Sequence, residues 1–139
     1  MTLIDATTFA DPEMAVATVI DAAMPDVYAS NVTPAPIPAK TVIVGYSGGG
    51  GRDWGEASVN LGVNCYALTD AGEDGVRALV RDVQTVLAVT ANDQIERISV
   101  PVGSIAIPRQ TPPFQRYFPI TVWLRGLDVI DEEDILDLS

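Results

Sequence analysis

The chain reads as an α+β protein, with a predominantly antiparallel sheet of four to five strands packed against two helices in a small single domain. Three patterns predict this. From Ser58 to Leu68 the side chains alternate, with Val59, Leu61, Val63, Cys65 and Ala67 on one face and Ser58, Asn60, Gly62, Asn64 and Tyr66 on the other. A period of two is what a strand with one buried face requires. Directly afterwards Val76, Leu79, Val80, Val83, Val86 and Leu87 recur at spacings of three and four, which gives a helix one apolar side. Further alternating runs and one more helix can pack around this strand–helix unit, each element covering the other's apolar face.

Taken in order, Asp11-Pro12-Glu13 starts the first helix. Asp caps, proline takes the first helical position, and an acid meets the positive end of the helix dipole. Met14, Ala15, Val16, Ala17, Val19, Ile20, Ala23 and Met24 continue it to a stop before Pro25. Its surface is more apolar than one packing face needs, so it either packs tightly on the sheet or partly meets a neighbouring subunit. A short strand is expected within Val27–Val32. The run Thr33-Pro34-Ala35-Pro36-Ile37-Pro38 lacks regular backbone donors and reads as a stiff extended linker.

Lys40–Tyr46 is strand-like, with Val42 and Val44 on one side and Thr41, Ile43 and Gly45 on the other. Ser47–Gly55 contains four successive glycines, whose ordering costs much backbone entropy, so a mobile loop is expected there. It is no phosphate cradle: Arg52 and Asp53 follow the last glycine where a Walker loop needs lysine and a hydroxyl residue. At its tip Arg52, Asp53 and Trp54 suggest an anchor on a flexible arm, since Trp and Arg are favoured in desolvated contacts. The alternative is that Trp54 folds back on its own domain. Asp70, with Glu73 three residues on, offers a variant capping box for the second helix.

After a turn at Thr90–Gln94, Ile95–Val100 and Val102–Ile107 are strand-like, split by Pro101 and Gly103 in the manner of a bulged or edge strand. Pro108–Pro113 is a second stiff loop. The last strand ends at Arg125, with Phe118, Ile120, Val122 and Leu124 facing the core and Tyr117, Thr121, Trp123 and Arg125 opposite. Pro119 places its early part at an edge or in a bulge. The domain therefore spans residues 1–127. Residues 128–139, an acidic C-terminal tail, hold six acids and no base, with Ile130, Ile135, Leu136 and Leu138 interspersed. They read either as a short amphipathic helix or as a frayed tail that orders only against a partner.

Composition excludes several classes of function. The formal net charge is −11, from 8 basic and 19 acidic residues, so nucleic acid backbones should be repelled. No run is long enough to span a membrane, and the first ten residues carry no basic residue, unlike a signal peptide. With no histidine, and one cysteine on the apolar face of a strand, Ser-His-Asp and Cys-His machinery are impossible. The carboxylates fall on caps, helix surfaces and the tail, the ordinary places for solvated acids. No enzyme activity, cofactor or metal site is expected. Asn60, Asn64 and Tyr66, on the outer face of the central strand, are left to be covered by a helix, to line a lumen or to meet a subunit.

The order of elements, the strand Leu61-Gly62-Val63-Asn64-Cys65-Tyr66-Ala67, the helix beginning near Ala71, the run from Gly103 to Pro108 and the final strand Phe114–Leu124 together resemble tail terminator proteins of long-tailed, non-contractile bacteriophages. The resemblance covers roughly residues 12–126. It implies a virion structural protein, assembled in the host cytoplasm and located at the head–tail junction. Such a protein forms a homohexameric ring on the head-proximal end of the tail tube, ends tube polymerisation and offers the head-joining surface. The implied partners are further copies of the chain, the tail tube protein and the head connector, with DNA passing through the lumen without specific binding. Contact segments map most nearly onto Gly48–Trp54 and Arg109–Arg116, which makes Arg52, Asp53, Trp54, Arg109, Phe114 and Arg116 the candidate contact residues. Another head–tail joining protein, or a tail tube subunit, is the alternative. The excess of acid predicts a neutral or acidic lumen for any ring the chain forms.

Overall fold

The computed structural model describes residues 6–7, 9–53, 56–68, 71–109, 111–126 and 129–130. Their order is β1 (Ala6–Thr7), α1 (Pro12–Ala23), β2 (Tyr28–Ser30), β3 (Lys40–Asp53), β4 (Glu56–Ala67), α2 (Glu73–Ala88), β5 (Ile95–Ser99), β6 (Ile105–Ile107), β7 (Phe114–Arg125) and β8 (Val129–Ile130). The main sheet has six strands in the order β2-β3-β4-β7-β5, with β6 also pairing β7. The α+β class and the two helices are as expected. The sheet is mixed rather than purely antiparallel, because the edge strand β2 runs parallel to β3. Parallel neighbours need a return connection, and residues 31–39 supply it without a helix. A strand of three residues spans only about 10 Å, which an extended proline-rich segment crosses easily. The exposed Lys40–Asp26 ion pair, 3.0 Å long, fastens this edge.

All twelve residues of β4 pair with β7, from Glu56↔Arg125 to Ala67↔Phe114. This continuous register puts Val59, Leu61, Val63, Cys65 and Ala67 in one buried stripe with Phe118, Ile120, Val122 and Leu124. Val42 and Val44 join them from β3. Both helices lie on this face: α1 contributes Ala15, Val16, Ala17 and Ile20, and α2 contributes Val76, Leu79, Val80, Val83 and Leu87. Asp11 caps α1 as its sequence predicts, accepting a hydrogen bond from the Glu13 amide at 3.1 Å. The start of α2 differs from expectation. Gly72 occupies the N-cap at φ 61° with no side-chain cap, its carbonyl accepting from the Gly75 and Val76 amides. Asp70 lies outside the described residues. A glycine that reaches a left-handed conformation replaces the capping side chain by turning the backbone itself.

The glycine run is the main correction. Expected as a loop, it is part of β3, which continues to Asp53 and pairs Gly50 with Val59 and Asp53 with Glu56. Between Tyr46↔Leu61 and Gly50↔Val59, three residues of β3 stand opposite Asn60 alone, a bulge that absorbs the extra chain. Gly50 has φ +93°, and an added Cβ would run into the backbone of Ser58 and Val59. The glycines therefore serve close backbone approach. Entropy argues against ordering them, but ladder pairing with β4 wins.

On the other side of the sheet, β5 and β6 are two halves of one edge. Ser99 faces Thr121 and Ile105 faces Tyr117, so the edge is interrupted opposite Phe118–Ile120. Pro119, which has no amide hydrogen to offer, sits in that gap, as its place in the sequence predicts. At the top of β5, Asn92 makes the turn, its Oδ1 accepting from the Gln94 and Ile95 amides at 2.8 Å. A separate two-stranded ladder joins β1 to β8, so the first residues of the acidic segment lie beside the N-terminus. The rest of that segment, residues 131–139, lies outside the described residues.

Two outcomes follow from this packing. Gly50→Ala should destabilise the fold by about 2 kcal/mol, from the left-handed φ and the backbone clash. Gly51→Ala, whose added Cβ meets nothing within 4 Å, should cost far less; paired denaturant titrations check the difference. Cys65 is fully buried, and that burial raises its thiol pKa. Thiol reagents should label it only at the rate of opening or unfolding.

Candidate interaction surface

Because both helices lie on one face, the other face of the sheet has no helical cover among the described residues. It is neither bare nor apolar. Thr121 Oγ1 donates to Asn60 Oδ1 at 2.8 Å, and Gln115 Nε2 donates to Asn64 Oδ1 at 2.9 Å, linking β7 to β4 across the sheet. Arg109 donates a long bond (3.4 Å) to Gln115 Oε1 and stands 6.0 Å from the centre of the Tyr66 ring. The Arg97 guanidinium stacks 3.7 Å over Trp123, its direct cross-strand partner. Gly62 leaves room for Tyr117, whose ring would come within 2.7 Å of an added Cβ. The result is a ladder of amides, hydroxyls, aromatic rings and arginines with most of its polar groups already partnered. Such a surface presents flat aromatic area at small desolvation cost, which suits protein contact better than chemistry.

Beyond the helices the strands continue. Tyr46 points to the same side as Val42 and Val44 but is 64 % exposed, so cover over β3 has ended by that point, while Leu61 and Val59 beside it on β4 stay buried. From there to Asp53, β3 continues as the edge of the sheet, paired with β4, while β4 stays paired with β7 on its other side (Ser58↔Trp123, Ala57↔Leu124, Glu56↔Arg125). Of Arg52 and Asp53 the backbone alone is described, paired with Ala57 and Glu56; Trp54 lies outside the described residues.

The other sequence-predicted contact residues sit at the opposite end of β4, roughly 36 Å away at 3.3 Å per residue. Arg109 is exposed there, on the open face. Phe114 is partly buried against the core and lies 3.7 Å from the position a Cβ on Gly72 would take. Arg116 points to the helical side. Its Nε donates to Ser104 Oγ at 2.7 Å, its Nη2 to the Ser104 carbonyl at 2.9 Å, and its Nη1 meets Glu73 Oε2 at 3.4 Å. Its side chain is 12 % exposed, and it ties α2 to the segment before β6. Phe114 and Arg116 thus have work within the subunit. The six candidates form two groups at opposite ends of the long strands, not one patch.

Sequence reasoning passed over Arg97, Trp123 and Tyr117 as contact residues, although alternation had already put Trp123 and Tyr117 on the outer face. What was not legible was the register of β5 against β7, which brings Arg97 over the indole. Among the described residues, no three of His, Cys, Asp or Glu stand together so as to hold a metal ion. No protein-family model matches the chain, and no curated protein matches it.

Arg116→Lys should lower stability by about 1–2 kcal/mol, because a point ammonium cannot reproduce a fork that serves Ser104 and Glu73 together. Arg109→Lys, exposed and held by long contacts, should stay within about 0.5 kcal/mol of the parent. Denaturation midpoints of the two variants test the contrast.

Proposed function

We propose that the chain is a structural subunit of a phage tail. Six copies close into a ring on the head-proximal end of the tail tube, stop its growth and present the surface on which the filled head docks. The strings shared with tail terminators and the order of elements support this reading. The observation that carries it is the separation of the two contact groups along β4. A ring is built from heterologous contacts, in which one patch of a subunit meets a different patch of the next, and closure leaves no lateral site for another copy. The free β3 edge running to Asp53 and the Arg109–Arg116 end are two such unlike patches. The aromatic and amide ladder on the open face offers a third, for the tube or the head. With so acidic a chain the lumen is neutral or acidic, and DNA passes without adhering.

Mass measurement and imaging of the purified protein should give discrete six-membered rings. Open-ended tubes would instead indicate a tube subunit, and a stable monomer would overturn the assembly reading. Trp54→Ala should weaken assembly by roughly 2 kcal/mol while leaving the melting temperature of the subunit nearly unchanged. A large fall in melting temperature with assembly of the folded fraction intact would mean that Trp54 closes on its own domain.

A further inference from the structure

On the helical side, away from the open sheet face, α2 and the segment between β5 and β6 bound a groove. Two adjoining hollows of about 290 and 270 Å³ make it up, sharing Arg81, Gln84 and Val102. Gln84 Nε2 donates to the Gly103 carbonyl at 3.0 Å and so sets the groove's floor. One half is basic, with Arg77, Arg81 and Arg116 around it. The other is apolar, with Ala88, Val100 and the fully exposed Val102.

The charges here run against the rest of the molecule. Arg77 and Arg81 are one helical turn apart, and like charges at that spacing repel by a few tenths of a kcal/mol. Glu73, one turn before Arg77, is engaged by Arg116. Among the described residues neither Arg77 nor Arg81 has an ion-pair partner. In a chain with 19 acids and 8 bases, two adjacent unpaired guanidiniums beside a third form a concentrated positive site next to an apolar shelf. A segment that carries carboxylates interleaved with aliphatic side chains complements both halves.

The chain itself encodes such a segment. Past β8, residues 131–139 contain Asp131, Glu132, Glu133, Asp134 and Asp137, with Ile135, Leu136 and Leu138 among them. We propose that this groove receives the acidic C-terminal segment of a second copy of the chain, its carboxylates on Arg77 and Arg81 and its aliphatic side chains against Val102 and Ala88. Donor and acceptor are different surfaces, so the contact is heterologous and can pass from each subunit to the next. The inference deepens the ring reading and rests on its self-association, but it names a contact that is tested separately.

The test mixes full-length Ala88→Cys chains with full-length Leu136→Cys chains under mild oxidation, the buried Cys65 remaining silent, and weighs the native assembly in the same sample. A disulfide joining the two kinds of chain is expected. Adding Arg77→Glu and Arg81→Glu to the groove chain should lower its yield about tenfold or more, and Glu132→Lys with Glu133→Lys in the other chain should restore it. Linkage found solely within a chain that carries both cysteines would overturn the proposal in favour of the subunit's own segment. Linkage indifferent to charge reversal would also overturn it. Hexamers without the cross-link would remove the groove contact and leave the ring; cross-linked open chains would remove the ring and leave the groove contact; monomers without the link would remove both.

Discussion

The architecture depends on a mismatch of length between strand and helix. β4 is paired along both edges, with β3 and β7, through most of its twelve residues. Pairing on two sides fixes register, since a slip of one residue would carry Asn60 and Asn64 into the core and Leu61 and Val63 out of it. A strand of that length runs roughly 36 Å at 3.3 Å per residue. The helices that cover it have 12 and 16 residues, which at 1.5 Å per residue is about 18 and 24 Å. Laid side by side, α1 over β2 and β3 and α2 over β4, β7 and β5, neither helix spans the inner face from end to end. The exposure of Tyr46, on the β3 side of the sheet, follows from that arithmetic.

Much of this was legible in the sequence, for identifiable reasons. Alternation assigned every core position of β4 and the late part of β7, because period two leaves no freedom once one face is known. The apolar spacing of α2 and the Asp11-Pro12 start of α1 are local signals, and local signals survive folding. What the sequence hid was set by partners distant along the chain. Glycines 48–51 look like a loop until β4 is placed beside them, because what orders them is ladder pairing and a bulge. β2 carries no mark of running parallel to β3. Of the contact candidates, alternation put Tyr117 and Trp123 on the open face, but the Arg97–Trp123 stack depended on a register with a bulge between Ile95 and Arg97. Arg116 read as a contact residue because the resemblance maps a contact segment onto Arg109–Arg116, whereas cross-strand pairing with Cys65 turns it to the helical side.

The scarce positive charges show how an acidic chain can still associate with itself. Lys40 meets Asp26, Arg116 meets Glu73 and Ser104, Arg97 lies on Trp123, Arg109 stands near Tyr66, and Arg125 Nε donates to the Asn92 carbonyl. Each of these is spent on the subunit's own surface. At physiological salt the repulsion between two such subunits is largely screened beyond about 8 Å, so net charge does not prevent approach. What decides is complementarity within contact range, where an unpaired arginine against a carboxylate is favourable and carboxylate against carboxylate is not. Among the described side chains, the residual positive character is gathered on one helix turn, beside an apolar shelf and away from the open sheet face. On an acidic chain a patch of opposite sign is where a carboxylate-bearing segment gains most, and α2 carries that patch.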